Sequence, residues 1–480
     1  MTDLFHWTDR KTLVRPFLLS SDGDLTYGDL LRLVGRWRGF IRSRQYAKPT
    51  RVALAMADPL HTIAATLALW CEGHIVCPLH LHWSGEARAH LLETLGVNVC
   101  IAKPPEPRHM NDVAKPLDIG LSQHALAMLL YTSGSCAAPK GCCLTLAALL
   151  GNASASLRNM PLGIGDVWLL SLPLFHVGGW GLVLRTLLSG SALALPARNA
   201  PIPAGVTHVS CVPTQLARWL EQGVDLSGIE AVLVGGAPIP RILVERAVHR
   251  DIPLFTTYGC TEMASQVSTT RPNERDDFES LSTAGHVLEG HQVHIAETRE
   301  IFLRGPCLAL GYWQNGAIID FRDAQGWYRS GDFGYFDEAG RLCILGRKDN
   351  LIISGGENIQ PERVEGVILE SGLVSRCVVV GRDHPTWGQR PIAFCEWLEG
   401  GDEQELATYL SAYLPRYKVP DAFLPWPSVP KSQGLKIDRK EFQRLANHSL
   451  NRALESENRK NLTRQSRNQG FSSPTLPSFP

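Results

Sequence analysis

The sequence contains no long uninterrupted apolar run and no secretory leader. Its most apolar region, residues 167–195, is interrupted by Pro173, His176, Arg185 and four glycines, which argues against a membrane span. The first residues, MTDLFHWTDRKT, lack the apolar core of a signal peptide. These absences predict a soluble, cytoplasmic protein with no membrane span.

Neither sign of charge is in excess, because Lys plus Arg and Asp plus Glu each number 47. This balance favours neither a nucleic acid nor an anionic membrane as a partner. The 12 cysteines are scattered without a C-x-x-C pair, as is typical of reduced cytosolic thiols rather than of a metal site. We therefore expect small-molecule ligands, and the sequence leaves a monomer and a homo-oligomer both open.

The order of apolar segments predicts an α/β fold. Residues 25–43 have helical spacing, with apolar residues on one face and arginines on the other. Short apolar runs then recur with helical segments between them, which indicates mostly parallel sheets covered by helices. These runs are residues 51–57, 74–79, 124–131, 167–173, 191–196, 208–213, 231–236 and 253–259. Glycines and polar residues follow several of the runs, at the sheet edge where open α/β sheets bind ligands.

A second composition begins after Asp349. Residues 375–383 and 390–399 are predicted strands and residues 402–414 a helix, which together predict a small α+β domain. We expect a large domain over residues 1–348, a mobile C-terminal domain over residues 349–448 with its hinge at Asp349, and a tail over residues 449–480. The tail is rich in Asn, Arg, Ser and Pro and has few apolar residues, so we expect it to be disordered.

A loop of small hydroxylated residues follows the apolar run at residues 124–131. Its hydroxyls, its unobstructed glycine amide and its terminal ammonium suit a polyphosphate, although the Walker spacing is absent. A simple linker is the alternative. The residues concerned are Thr132, Ser133, Gly134, Ser135 and Lys140.

A second polar region lies between Trp327 and Glu365. Asp332 follows a glycine and can accept both hydroxyls of a ribose, while Arg347 can meet the same sugar or its phosphate. The stretch GRKDN is a plausible hinge, and Gly355 and Gly356 allow close approach of the backbone to a ligand. A solvated hairpin with a structural glycine corner is the alternative.

Six motifs occur in an order and spacing that resembles the adenylate-forming superfamily, which includes acyl-CoA synthetases, luciferases and the adenylation domains of peptide synthetases. The motifs are YTSGSCAAPKG, VLVGGAPIP, YGCTE, WYRSGD, GRKDNLIISGGENIQPERVE and SQGLKIDR. The resemblance covers roughly residues 20–445. It implies a large N-terminal domain that includes a distorted barrel, a mobile C-terminal domain, and the use of ATP, Mg²⁺ and coenzyme A.

The resemblance also implies a role for each matching residue. Lys436 matches the mobile lysine that delivers positive charge to the α-phosphate and the attacking carboxylate, and Glu262 matches the Mg²⁺ ligand. Rotation about Asp349 would replace Lys436 with a thiol tunnel lined by Gly355 and Gly356, and His176 would gate it. The implied ATP-binding residues are Thr132, Ser133, Gly134, Ser135, Lys140, Gly235, Gly236, Ala237, Pro238, Tyr258, Gly259, Thr261, Asp332 and Arg347.

Three stretches resemble the o-succinylbenzoate–CoA ligases of menaquinone biosynthesis: LPLFHVGGW, YGCTEMASQV and ALGYWQNGAIIDFRDAQGWY. Their substrate has one inert carboxylate, which needs a cationic partner in an apolar pocket. Arg185 is the candidate, and an Arg that reaches solvent is the alternative. Thr214, Ser265 and Gln266 are further candidate pocket contacts.

One departure from the superfamily pattern lies in the phosphate loop, where Cys136 and Ala137 replace Thr and Gly. We expect this change to affect turnover more than nucleotide binding. A weakly active relative, for which this departure is the only support, is one alternative. Another aryl or acyl acid–CoA ligase on the same fold is the other.

Overall fold

The computed structural model describes residues 10–81, 85–105, 119–132, 140–197, 201–427 and 438–448, with the side chains of residues 87 and 132 excepted. The chain divides into two compact units, Met1–Asp349 and Asn350–Pro480. Lys436, Ser133, Gly134, Ser135, Cys136, Ala137 and the tail at 449–480 lie outside the described residues.

The first unit contains most of the strands. They are β1 Pro16–Leu19, β2 Leu25–Thr26, β3 Arg51–Leu54, β4 Ile75–Pro78, β5 Val99–Ile101, β6 Leu126–Thr132, β7 Lys140–Thr145, β8 Val167–Leu169, β9 Ala192–Ala194, β10 His208–Cys211, β11 Ala231–Val234, β12 Leu254–Cys260, β13 Ser265–Thr269, β14 His286–Val287, β15 Gln292–Ile295, β16 Glu300–Arg304, β17 Tyr312–Gln314, β18 Ala317–Ile319, β19 Tyr328–Phe336 and β20 Leu342–Arg347. The second unit contains β21 Ile352–Ser354, β22 Glu357–Ile359, β23 Val374–His384, β24 Gly388–Trp397 and β25 Phe423–Pro425.

The helices of the first unit are α1 Arg10–Leu13, α2 Tyr27–Ser43, α3 Pro59–Cys71, α4 Gly85–Thr94, α5 Leu146–Asn159, α6 Val177–Ser189, α7 Pro213–Glu221, α8 Arg241–Val248 and α9 Phe278–Leu281. Those of the second unit are α10 Pro361–Glu370, α11 Glu403–Tyr413 and α12, which covers residues 439–448. None of the helices described here combines the length and the apolar character that crossing a bilayer requires.

Two large sheets and one small sheet make up the first unit. The strand order of the nine-stranded sheet is β14-β13-β12-β11-β10-β8-β9-β1-β2, and its central pairs are parallel. The seven-stranded sheet runs β18-β17-β7-β6-β4-β3-β5, with parallel pairing among β3, β4, β5 and β6. The small sheet is antiparallel, with the strand order β15-β16-β19-β20. The predicted α/β class with mostly parallel major sheets is confirmed.

Helix α2 shows how the predicted periodicity becomes structure. Its capping box is complete, since the Thr26 hydroxyl accepts from the Asp29 amide at 3.1 Å and the Asp29 carboxylate accepts from the Thr26 amide at 2.9 Å. Leu30, Leu31 and Val34 on its apolar face are buried in the main core, as their spacing predicts. In the strands, by contrast, all four residues of β11 are buried because helices cover both faces of a parallel sheet.

The second unit is built on one long antiparallel pair, β23 and β24. Strand β23 contains the predicted strand 375–383, and β24 covers residues 390–397 of the predicted strand 390–399. Helix α11 matches the predicted helix. The Asp402 carboxylate caps α11 by accepting from the Glu405 amide at 2.9 Å. Apolar residues of α10, α11 and the sheet form a separate core, which includes Val364, Ile368 and Leu406. The predicted α+β character of this part of the chain is confirmed.

Candidate functional site

Asp332 and Arg347 face each other across the antiparallel pair β19 and β20. Their closest charged atoms, Asp332 Oδ1 and Arg347 Nη1, lie 3.5 Å apart. The Tyr258 hydroxyl donates a 2.7 Å hydrogen bond to the other oxygen, Asp332 Oδ2. Asp332 is 6% exposed, whereas the Arg347 side chain is 51% exposed. The carboxylate is thus held between a buried phenol and a guanidinium that reaches the surface.

Electrostatics reinforce this arrangement. Burial, together with the Asp332 carboxylate, raises the pKa of the Tyr258 hydroxyl well above its ordinary value, so the phenol remains a donor. For Arg347, burial opposes the charged form, but the carboxylates of Asp332 and Asp349 raise its pKa overall. The site therefore holds a permanent cation and a fixed carboxylate oxygen, as a ribose with its phosphate would require.

A flat edge of backbone follows the carboxyl end of β11. A Cβ on Gly235 would lie 2.5 Å from Thr257 Cγ2, and Gly236 has a φ of +79°. Ala237 and Pro238 continue this edge and are exposed. Since β11 pairs with β12, which carries Tyr258, the edge and the phenol lie on neighbouring strands. The two predicted parts of an adenine site belong to one sheet edge.

The chain reverses direction immediately after Tyr258. Gly259 is indispensable there, because a Cβ would lie 2.0 Å from the Ser265 carbonyl oxygen. A short 3₁₀ turn, Thr261–Met263, then leads through Ala264 and Ser265, which have φ values of 58° and 133°, into β13. This turn places Glu262 in a buried position, 9% exposed, directly after the strand end.

Two tyrosines not singled out from the sequence connect Glu262 to the rest of the site. The Tyr312 hydroxyl donates to Glu262 Oε1 at 2.7 Å and lies 3.2 Å from the Tyr328 hydroxyl. Lys140 Nζ lies 5.1 Å from the centre of the Tyr312 ring. Lys140 also pairs with Thr132 across β6 and β7, so the loop at 133–139 connects these two strands. Lys140, at the end of the predicted phosphate loop, thus lies near the ring whose hydroxyl bonds Glu262.

The candidate ligand for a metal ion is the buried carboxylate of Glu262. Within the described ranges, no group of three or more His, Cys, Asp and Glu side chains could hold a metal ion. Mg²⁺ commonly binds through one or two carboxylates and completes its shell with water and substrate phosphates. Glu262 therefore fits an ion that arrives with a nucleotide, not a resident metal centre.

Arg185 is buried in the first unit and is only 3% exposed, so it does not reach solvent. Its Nη1 donates at 2.8 Å both to Ser156 Oγ and to Gln266 Oε1, and the guanidinium lies 4.3 Å from the Trp168 ring centre. No carboxylate of a described residue lies within ion-pair distance of it. Burial lowers its pKa to about 9, so it still carries its charge at neutral pH. A buried cation without an anionic partner suits an anionic ligand group.

Gln266 connects Arg185 to the strand that carries Thr257 and Tyr258. Its Nε2 donates to Thr257 Oγ1 at 3.2 Å and to Thr269 Oγ1 at 3.0 Å, which orients its carbonyl oxygen toward the guanidinium. Thr257 is the residue against which Gly235 packs. Ser265 lies beside α6, with its Oγ 3.5 Å from the position of a Cβ on Gly181. Arg185, Ser265 and the predicted adenine edge are thus close neighbours.

His176 and Thr214 lie at helix starts. His176 is the exposed N-cap of α6, and its ring centre is 4.5 Å from that of Phe175, which packs against His80 at 4.3 Å. Thr214 is exposed in the first turn of α7. Their roles as a gate and as a pocket contact stay predictions.

In the second unit, Gly355 and Gly356 are the two central residues of the hairpin between β21 and β22. Ser354 pairs with Glu357, and the glycines have φ values of 58° and 88°, as a type I′ turn requires. The turn explains both glycines structurally, and their role in a thiol tunnel stays a prediction. Asp349 lies in a 3₁₀ turn, Lys348–Asn350, at the boundary between the units.

Family profiles match both units. The AMP-binding enzyme profile covers residues 5–313, and that of the AMP-binding enzyme C-terminal domain covers residues 363–436. The chain belongs to the AMP-binding enzyme family. Among curated relatives, 2-succinylbenzoate–CoA ligase of Escherichia coli K12 is 38% identical, with 88% of this chain and 93% of the relative covered. The ligase of the same name from Salmonella typhimurium is 33% identical over 91% of this chain and 96% of its own.

Solved structures agree with these relatives. The o-succinylbenzoate CoA synthetase (MenE) from Bacillus subtilis in complex with the acyl-adenylate intermediate OSB-AMP superposes with a TM-score of 0.81. It is 27% identical and covers 92% of this chain and 98% of its own. The same enzyme in complex with ATP and magnesium ion gives a TM-score of 0.79, with 91% and 98% covered.

Proposed function

We propose that this protein ligates 2-succinylbenzoate to coenzyme A through an acyl-adenylate and releases AMP and pyrophosphate. The reaction belongs to menaquinone biosynthesis. Membership of the AMP-binding enzyme family and similarity to 2-succinylbenzoate–CoA ligases along most of the chain support this proposal. We place the reaction in the cytoplasm, since no disulfide joins any of the 11 cysteines that the structure describes.

In the first half-reaction, the acid carboxylate attacks the α-phosphorus of ATP and pyrophosphate leaves. Asp332 accepts hydrogen bonds from the ribose hydroxyls, and Tyr258 stacks on adenine against the edge formed by Gly235, Gly236, Ala237 and Pro238. Gly259 lets the strand end turn sharply, so that Thr261 meets the α-phosphate. Glu262 holds the Mg²⁺ that accompanies the phosphates and offsets their charge.

Fixed cations stabilise the charge that develops during this attack. Lys140 and the loop residues Thr132, Ser133, Gly134 and Ser135 bind the leaving phosphates. Lys436 supplies charge to the α-phosphate and the acid carboxylate. Arg347 remains beside the sugar and its phosphate, where its partial exposure lets it reach the ligand.

The isolation of Arg185 is the observation that carries the choice of acid. A buried guanidinium bonded only to a hydroxyl and an amide oxygen, with no carboxylate among the described residues, can accept an anionic group of the substrate. 2-Succinylbenzoate offers such a group, because only one of its two carboxylates is activated. Gln266 orients the cation, and Thr214 and Ser265 are further contacts of the acid.

In the second half-reaction, the thiol of coenzyme A attacks the carbonyl of the acyl-adenylate and AMP leaves. The C-terminal domain rotates about Asp349, which withdraws Lys436. Gly355 and Gly356 then line the path of the pantetheine, and His176 gates its entry to the acyl pocket. One hinge thus serves both half-reactions.

Pyrophosphate release across a panel of carboxylic acids tests the proposed substrate. The panel contains 2-succinylbenzoate, benzoate, a medium-chain fatty acid and 4-oxo-4-phenylbutanoate, each with and without coenzyme A. We expect 2-succinylbenzoate to give the highest kcat/KM and a thioester product. A higher kcat/KM for a monocarboxylic acid would replace the proposed substrate with that acid.

A further inference from the structure

Arg439 is the first residue of α12 and makes a bidentate contact with Glu365 of α10. Its Nη1 donates to Glu365 Oε1 at 2.5 Å and its Nη2 donates to Glu365 Oε2 at 2.6 Å. Both partners also bond the backbone of Val379 in β23. Arg439 Nη1 donates to the Val379 carbonyl at 2.9 Å, and Glu365 Oε1 accepts from its amide at 2.6 Å. The start of α12 is therefore clamped to a helix and a strand at once.

A second carboxylate on the same face of α10 extends this contact. Glu362 precedes Glu365 by three residues, and its Oε1 lies 3.7 Å from Arg439 Nη2. The same oxygen accepts a 2.5 Å hydrogen bond from Asn350 Nδ2. Asn350 is the first residue of the second unit and follows Asp349 directly. A continuous polar chain thus runs from the hinge region through Glu362 to Arg439.

Arg439 is well placed to act on Lys436, which precedes it by three residues. Three residues of extended chain span at most about 11 Å, so the clamp fixes one end of a short tether. Asp438 adds to the fixation, since its Oδ1 accepts from the Lys440 amide at 3.1 Å and so caps α12. The clamp and the cap together set where the chain leaves α12 toward Lys436.

We propose that Arg439, held by Glu362 and Glu365, is a positioning residue that ties the segment carrying Lys436 to Asn350, the residue that follows the hinge residue Asp349. This inference rests on the proposed function, in which Lys436 serves only the adenylation half-reaction. The two carboxylates repel each other, and Arg439 compensates both. Loss of the two hydrogen bonds between Arg439 and Glu365 would release this constraint on the segment that carries Lys436, while Lys436 itself would remain. Small misplacements of a reacting group can lower a rate by about a hundredfold.

The test measures the two half-reactions separately in the full-length protein. Single-turnover pyrophosphate release without coenzyme A reports adenylation, and the reaction of purified acyl-adenylate with coenzyme A reports thioester formation. We expect Arg439→Met to slow adenylation at least about tenfold and to change thioester formation less than about threefold. Arg439→Lys keeps the charge but loses the bidentate contact with Glu365, so it should give an intermediate adenylation rate. An equal loss in both half-reactions, or none in either, would overturn the positioning role.

Arg444→Met is the matched control, because Arg444 lies on the same helix and pairs with Glu441 at 2.7 Å on the surface. It should leave both rates unchanged. If Arg439→Met does not fold, as judged by thermal unfolding, Glu365→Gln tests the same clamp with a side chain of nearly the same shape. It should slow adenylation selectively, and an unchanged adenylation rate in this variant would contradict the proposal.

A double variant separates this inference from the proposed function. Arg439→Met should cause no further loss of adenylation in the Lys436→Ala background, because there is then no lysine to position. An additional tenfold loss in that background would assign Arg439 a purely structural role. If Lys436→Ala alone leaves adenylation intact, the proposed role of the lysine is wrong, whatever Arg439 does.

Discussion

The Tyr258 hydroxyl and Asp332 Oδ2 form a 2.7 Å hydrogen bond between residues 74 positions apart in the sequence. Tyr258 belongs to the nine-stranded sheet and Asp332 to the four-stranded sheet, so the bond joins the two sheets at the candidate nucleotide site. A side chain expected only to stack on adenine also orients the carboxylate expected to hold the ribose. We therefore predict that recognition of the base and of the sugar is coupled through one phenol.

Tyr258→Phe tests this coupling. It keeps the ring for stacking but removes the donor to Asp332, and a hydrogen bond to a charged group contributes about 1.5–3 kcal/mol. We expect KM for ATP to rise about tenfold, with KM for the acid unchanged, in steady-state assays of AMP formation. Tyr335→Phe, on the same strand as Asp332 but exposed, serves as the control. An unchanged KM for ATP would show that Asp332 needs no orientation by the phenol.

Arg185→Leu tests the acid anchor. We expect KM for 2-succinylbenzoate to rise about tenfold to a hundredfold, because the variant loses a charged hydrogen bond worth about 1.5–3 kcal/mol. KM for ATP should stay the same, and 4-oxo-4-phenylbutanoate, which has a single carboxylate, should be affected little. Arg158→Leu removes an exposed arginine that pairs with Glu289 and is the control. Equal increases in KM for ATP and for the acid would rule out the anchor.

Glu262→Gln tests the metal ligand. The amide oxygen can still accept from Tyr312, so the local structure should persist while the charge is lost. We expect the Mg²⁺ concentration for half-maximal activity to rise at least about tenfold, since even groups that merely orient a metal ligand contribute tenfold or more to affinity. The measurement is a Mg²⁺ titration of pyrophosphate release, with the exposed Glu279→Gln as control. A superimposable titration curve would remove Glu262 from the metal site.

The two glycines of the β21–β22 hairpin give a graded test of the thiol path. A Cβ on Gly355 would lie 2.7 Å from the Trp387 ring, whereas a Cβ on Gly356 would meet open space. Both have positive φ, so each alanine costs roughly 1–2 kcal/mol of strain. We expect Gly355→Ala to slow thioester formation from acyl-adenylate more than Gly356→Ala does, with adenylation preserved in both. Slower adenylation in step with thioester formation would point to misfolding instead.

Much of the fold could be predicted because its signals are local. The buried runs of β4, β10 and β11 and the periodicity of α2 can be read directly from the residues. The order of strands could not be read in this way. Strand β1 pairs with β9, which is more than 170 residues later, because pairing depends on packing between distant segments. The positive φ of Ala264 and Ser265 was equally hidden, since neither residue type signals it.

The candidate site shows the same contrast between features with a local sequence signal and features that depend on packing between distant segments. Motifs identified Glu262, Asp332 and Arg347 as candidates, but the contact of Tyr312 with Glu262 requires β17 of the seven-stranded sheet to meet the turn between β12 and β13 of the nine-stranded sheet. Both missed tyrosines lie inside stretches that carried the resemblance, GYW and WYRSGD, so a scan of hydroxyls within the motifs could have found them. The absence of a described carboxylate near Arg185 and the clamp on Arg439 are properties of the folded chain, with no local sequence signal.

Direct detection of the intermediate tests the central claim. The protein is incubated with 2-succinylbenzoate and MgATP, and the products are analysed by mass spectrometry before and after coenzyme A is added. We predict 2-succinylbenzoyl-AMP and pyrophosphate before the addition, and afterwards its conversion to the thioester with one AMP per thioester. Formation of ADP and phosphate, or a thioester that appears with no acyl-adenylate preceding it, would contradict the proposed reaction.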